Sequence, residues 1–274
     1  MTVLQYRAGT RALELLRARG GLSPEDVCAL VLPAIGPKWL VLYGIDSALV
    51  RAGFLQAAAR KRRVLLFGAS AGAWRGLAYA SRDPARAFDA LRDSYCEQHF
   101  TTQDSPEVIS GAYRRLLNSV LTPEDLAHVV AHPELDLAIA AVRARGLLAA
   151  ARARHAQAAS LTAAALLNAL GPHTQRLFFE RVVFSTAQLA ERRHPLLHAT
   201  PGELLALTAE NMLEAALASG TVPLYMQSVS DIPSAPAGMY MDGGFSDYHL
   251  NRQCSCGSIT LLFLHQQRIV PTWT

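Results

Sequence analysis

The sequence predicts an α/β fold organised around a mostly parallel sheet, on three observations. Val27-Cys28-Ala29-Leu30-Val31-Leu32 and Val64-Leu65-Leu66-Phe67 are unbroken aliphatic runs, which suit strands buried on both faces. Helical stretches separate the strand candidates, and such alternation gives parallel neighbours joined by right-handed crossovers. The second run passes straight into Gly68-Ala69-Ser70-Ala71-Gly72. That is the pattern of a strand turning sharply into a helix with one serine at the apex.

Each element has its own signal. Residues 1–19 carry Arg7, Arg11, Arg17 and Arg19 without a long apolar core, so they form an amphipathic helix and no secretory signal. Gly20-Gly21 breaks the helix, and the first strand follows at 27–32. Residues 33–38 form a turn in which Pro37 suits the first position of a helix. Residues 38–53 are apolar on nearly every side and predict a buried helix; a strand at 39–43 followed by a turn at 44–47 is the competing assignment. A solvated basic turn at 60–63 precedes the strand that leads to Ser70.

Residues 84–131 have a helical pattern, with Thr122-Pro123-Glu124-Asp125 a capping box. Residues 135–142 predict a third strand, and the alanine-rich stretch 146–170 a helix stopped by Gly171-Pro172. Residues 177–184 are another strand candidate, and 208–219 a helix ended by Gly220. Pro233 and Pro236 mark an extended loop, after which Met239-Tyr240-Met241 delivers Asp242-Gly243-Gly244 at a turn. A last buried strand is expected at 259–264. No repeat or interdomain linker interrupts the chain, so one domain spanning 1–274 is expected, with a helix at 1–20 and a core at 23–270.

Composition narrows the function. A chain of 274 residues, 51% hydrophobic, can bury a substantial core. The net charge is +4, carried almost wholly by arginine, because Lys38 and Lys61 are the lysines. No dense basic run with interleaved aromatics supports nucleic-acid binding. The basic excess is compatible with transient contact at an anionic membrane surface. No segment reads as a membrane-spanning helix, so a soluble, reducing, cytoplasmic setting is expected, with peripheral membrane contact at most. Cys28 reads as a buried thiol, and Cys254 and Cys256 as free thiols on an exposed loop; the four cysteines, Cys96 included, have neither zinc nor disulfide-framework spacing. His128 and His132 share a helical face without the glutamate of a zinc protease motif. Arg143, Arg145, Arg152 and Arg154 do not fall on one side, so 140–154 is expected as a solvated helix covering the sheet and not as an interfacial helix.

Ser70 is the candidate nucleophile. Gly68 and Gly72 stand where side chains would collide across a tight turn, and the serine sits at the amino end of the next helix, where N–H groups can hold an oxyanion. A serine hydroxyl needs an adjacent base, and a carboxylate held in a water-poor cleft can serve. Asp247 has the context of a packed, structural residue.

Two further segments follow Gly68-Ala69-Ser70-Ala71-Gly72 in order. They are Ala218-Ser219-Gly220-Thr221-Val222-Pro223 and Asp242-Gly243-Gly244. Together the three resemble the patatin-like phospholipases, in which an elbow serine, an Ala-Ser-x-x-x-Pro segment and an Asp-Gly-Gly motif occur in this order. The resemblance covers residues 23–270 and implies a three-layer α/β/α sandwich. It implies acyl-ester hydrolysis of phospholipid or other fatty-acyl esters by a Ser-Asp dyad, with neither metal nor organic cofactor. Carried over, Ser70 is the nucleophile, Asp242 the general base, and Gly243 and Gly244 the glycines of the base motif. The family has a run of glycines ending in Arg-Gly after its first strand. Here Pro33-Ala34-Ile35-Gly36-Pro37-Lys38 keeps one glycine and has lysine for arginine. The implied oxyanion donors are the N–H groups of Ala34, Ile35, Gly36 and Ala71.

Three alternatives remain open at this point. A Ser-Asp-His esterase would recruit His249 or His265, which are otherwise histidines outside the chemistry. A non-catalytic acyl-binding protein would keep the fold without turnover. An acyltransferase would place a histidine beside the serine and an arginine for a substrate carboxylate.

Overall fold

Val27–Leu32 (β1) is buried at every position, and so is Val64–Ala69 (β2), because each strand is covered on both faces. The computed structural model describes residues 5–151, 153–168, 171–187, 194–250 and 258–269. The other strands are Leu135–Ala144 (β3), Phe179–Ser185 (β4), Glu203–Ala206 (β5), Val229–Ser230 (β6), Met239–Asp242 (β7) and Ile259–Leu262 (β8). The sheet runs β5-β4-β3-β2-β1-β8. β8, β1, β2 and β3 are mutually parallel, β4 is antiparallel to β3, and β5 is parallel to β4. The mostly parallel α/β class follows from the sequence as expected.

The helices are Thr10–Arg19 (α1), Tyr43–Arg51 (α2), Phe54–Ala59 (α3), Ala71–Ala80 (α4), Pro84–Cys96 (α5), Pro106–Val120 (α6), Pro123–Val130 (α7), Gly146–Ala150 (α8), Arg154–Asn168 (α9), Pro195–His198 (α10) and Met212–Ser219 (α11). On one face of the sheet, Leu30, Leu32, Leu66, Leu137 and Ile139 pack with residues of α2, α4, α5, α6 and α11. On the other, Val31, Leu65, Phe67, Ala138 and Val183 pack with Leu196 and Leu197 of α10 and with Leu250. Alternate strand residues therefore feed opposite layers, as the period of two requires.

One detail of the sheet positions everything that follows. β2 pairs with the first part of β3, from Val64 opposite Leu135 to Ala69 opposite Ala140. β7 comes up antiparallel beside the remainder, with Asp242 opposite Ala141. Two strands thus occupy the same side of β3 and meet end to end. β3 acts as a ruler that brings the residue after Ala69 next to Asp242.

Several expectations need correction. Residues 38–53 are a 3-10 helix (Gly36–Leu42) leading into α2, not a strand, and not buried all round: Val41 is 72% exposed while Trp39 and Leu42 are buried. The stretch simply carries more apolar residues than its one buried face needs. Residues 140–144 are the end of β3 and not the start of a helix. Alanine has high helix propensity, but the hydrogen bonds offered by β4 and β7 on either side override it. The N-terminal helix begins at Thr10 and buries no residue. The helical stretch expected at 84–131 is three helices, α5 to α7, each with proline at its start, and the capping box at Thr122 and Asp125 is present. β8 is an edge strand in which only Ile259 is buried. Gly220 ends α11 without a left-handed turn, at φ −104°. Glycine is needed there for a different reason, since a Cβ would lie 2.4 Å from the Trp74 ring. Cys28 is buried; Cys254 and Cys256 lie outside the described residues.

Candidate active site

Ser70 follows β2 directly and caps α4 with φ 55° and ψ −132°, a backbone conformation strained for a residue with a side chain. What holds it there is close packing on both sides. A Cβ on Gly68 would lie 2.6 Å from the Gly72 carbonyl oxygen, and one on Gly72 would lie 2.0 Å from that of Leu32. The second contact presses the first turn of α4 onto the end of β1.

The strained peptide is also hydrogen-bonded. Ser70 N–H donates to Ser219 Oγ at 2.8 Å, and that hydroxyl donates to the Ala140 carbonyl at 2.6 Å. Asp242 N–H in turn donates to the Thr221 carbonyl at 2.9 Å. The short segment at the end of α11 therefore fastens both strand ends that meet on β3. Ser219 was quoted above only as part of a motif; what gives it this position is the tertiary arrangement. Trp74, one turn after Ser70, fixes α11 in return by donating from Nε1 to the Ala216 carbonyl at 2.9 Å.

The Asp242 carboxylate accepts a hydrogen bond from Gly244 N–H at 2.7 Å, and the Ser70 hydroxyl lies close enough to lower its pKa. Burial raises its pKa from the usual carboxylate range to about 6, and the nearby Ser70 hydroxyl and Gly244 N–H oppose the rise only in part. Ser70 is 8% exposed and Asp242 7%, so the pair is nearly dry. Gly243 is required by close approach: a Cβ would lie 2.2 Å from the Ala140 carbonyl oxygen.

The loop after β1 presents its N–H groups unequally. Ala34 N–H donates to the Tyr248 carbonyl at 2.9 Å, and Ile35 N–H folds back on the Pro33 carbonyl at 3.0 Å. Gly36, at φ 51°, opens the 3-10 helix, and Ala71 opens α4. The first N–H of a helix has no acceptor within it.

His249 is buried beside His265, their rings 6.3 Å apart. Burial, then His265 and Lys38, depress its pKa to about 4, so its imidazole is neutral at ordinary pH. Asp247 lies buried 3.9 Å from the Arg181 guanidinium, in the structural setting expected of it. His128 and His132 stack edge to face, and among the described residues no cluster of three metal-ligating side chains occurs. No described helix is long and apolar enough to cross a membrane.

Fold and site define an α/β protein with a strand–serine–helix elbow closed by a buried aspartate. The patatin-like phospholipase family model matches residues 44–249, three quarters of the chain, including both Ser70 and Asp242. The chain belongs to that family, which makes it a member of a lipid acyl hydrolase group. The match starts beyond the 33–38 loop. No curated protein sequence matches the chain.

Proposed function

We propose that this protein hydrolyses fatty-acyl esters, phospholipids among them, through a Ser70 acyl-enzyme with Asp242 as general base. The observation that carries this is the meeting of β2 and β7 on β3, which sets the Ser70 side chain beside a carboxylate whose pKa burial has raised to about 6. A base with that pKa is ionised near neutrality yet strong enough to accept a proton in the transition state.

The steps follow from the two side chains. Asp242 takes the hydroxyl proton as Ser70 Oγ attacks the ester carbonyl carbon. The carbonyl oxygen becomes an oxyanion, held by the Gly36 and Ala71 N–H groups, which point from two helix starts. Ala34 and Ile35 contribute the shape of that turn, their own N–H groups being bonded to Tyr248 and Pro33. Collapse of the tetrahedral adduct breaks the ester C–O bond, and the Asp242 proton passes to the alcohol leaving group. Water then loses a proton to Asp242 and attacks the acyl carbon, and Ser70 leaves with that proton. No histidine is required, because the aspartate itself stands beside the nucleophile.

The test is covalent. A fluorophosphonate should label Ser70 in the folded protein, with labelling lost in Ser70→Ala. An unlabelled, folded wild type overturns the proposal.

A further inference from the structure

Away from the proposed dyad, the most heavily buried ion pair among the described residues joins α2 to α4. Arg75 and Asp46 are both 0% exposed. The guanidinium binds the carboxylate in two places, Nε to Oδ2 and Nη2 to Oδ1, each at 2.8 Å. Tyr79, one turn after Arg75, donates its hydroxyl to the same Oδ1 at 2.7 Å. Burial and the adjacent Asp46 charge raise the Tyr79 pKa, so it remains a donor. Among the described residues, Arg75 Nη1 is buried without a hydrogen-bond partner.

Such a group is a poor source of stability. Desolvating two charges offsets much of their attraction, and an apolar pair of equal volume is often as stable or more so. What an ion pair supplies better than apolar contacts is fixed geometry, since the two-pronged guanidinium–carboxylate contact sets both distance and rotation. The elements it joins are informative. Asp46 lies on the helical run that Gly36 opens, and Arg75 on the helix that Ala71 opens. The two proposed oxyanion donors therefore belong to two separate pieces of backbone, and this pair ties those pieces together within the next few turns.

Resting on the hydrolase function above, we propose that Asp46 and Arg75, steadied by Tyr79, are positioning residues. They hold the Gly36 loop in register with the Ser70 elbow and so keep the two oxyanion N–H groups convergent.

The experiment replaces the pair by apolar residues, Asp46→Leu with Arg75→Met, and measures kcat, KM and Tm on a soluble p-nitrophenyl acyl ester. The expected result is a Tm equal to or above wild type, KM within about twofold, and kcat down roughly tenfold or more, as small misplacements of catalytic groups can produce. A structural role alone would move Tm and leave kcat of the folded fraction unchanged, and that result overturns the inference. Tyr79→Phe, which removes one hydroxyl and no charge, decides the matter if the double variant does not fold: kcat should fall at least about twofold at constant KM. An unchanged kcat in Tyr79→Phe then overturns it. A wild type that neither turns over ester nor takes the fluorophosphonate defeats the hydrolase function itself, and this inference with it.

Discussion

The Ser219 hydroxyl lies 2.8 Å from the Ser70 backbone nitrogen and bridges it to the Ala140 carbonyl. The proposed nucleophile, held at positive φ, is thereby hydrogen-bonded to the strand that also positions Asp242. Replacing Ser219 with alanine leaves a buried N–H and a buried C=O unpaired, at about 1–3 kcal/mol each. Ser219→Ala should therefore lower Tm by several degrees. It should also reduce kcat more than tenfold with little change in KM, because the elbow peptide is free to relax from its strained conformation. Thermal melts and steady-state kinetics on one ester check both; a large Tm loss with kcat intact would show that Ser219 serves stability only.

The pH profile tests which group is the base. The Asp242 carboxylate must be ionised to accept the Ser70 proton, and burial sets its pKa at about 6. As pH falls through that value, kcat/KM should decline about tenfold per unit, with a plateau above it. His249, whose pKa is pushed down to about 4, is neutral across that window. His249→Gln should keep kcat within about threefold and leave the acid limb in place, as expected for a group outside the proton relay. Loss of activity in that variant, fold preserved, would favour a Ser-Asp-His triad.

The elements that carry the site were legible in the sequence because each rests on local rules. β1 and β2 are continuous apolar runs, and the elbow glycines follow from the tightness of the turn. Ser70 and Asp242 both stand out in the sequence, and the structure sets them side by side where β2 and β7 meet on β3. What local rules did not reveal depends on long-range pairing. The strand expected at 135–142 is β3, but its continuation to Ala144, against the helix expected over 140–154, depends on pairing with β4 and β7. The four half-buried residues of β5 gave no strand signal of their own. The same limit hid the bonding of the Ala34 N–H group, since Tyr248 is far away in sequence. It also hid the Asp46–Arg75 pair, because a lone aspartate and a lone arginine on two apolar helices carry no pattern.

Gly72 offers a test of the packing between α4 and β1. A methyl group there would sit 2.0 Å from the Leu32 carbonyl oxygen and 2.7 Å from that of Pro33, and backbone atoms cannot swing aside as a side chain can. Gly72→Ala should destabilise the fold by about 3 kcal/mol or more, the upper end of overpacking costs. Any protein that still folds must have moved the 33–36 loop away from the elbow, so fluorophosphonate labelling of Ser70 should slow by more than Tm alone predicts. A stable, normally reactive Gly72→Ala protein would contradict this packing.

The buried carboxylate proposed as base should also cost stability, with a definite sign. The Asp242 pKa is raised on folding from 3.8 to about 6, so the folded state binds the proton more tightly than the unfolded chain. Its contribution is fully present below about pH 4 and is lost as pH rises through 6, amounting to roughly 3 kcal/mol at 1.36 kcal/mol per unit. Asp242→Asn removes the charge that burial penalises while keeping an oxygen to accept the Gly244 N–H. The variant should have no hydrolytic activity and a higher Tm than wild type at pH 8. The difference should shrink to nothing, or reverse, at pH 4, where the wild-type carboxyl is already protonated in the fold. Melting curves at the two pH values decide it: a variant less stable than wild type at pH 8 would mean that the ionised Asp242 is a net stabilising group, and that its environment is wetter than its burial implies.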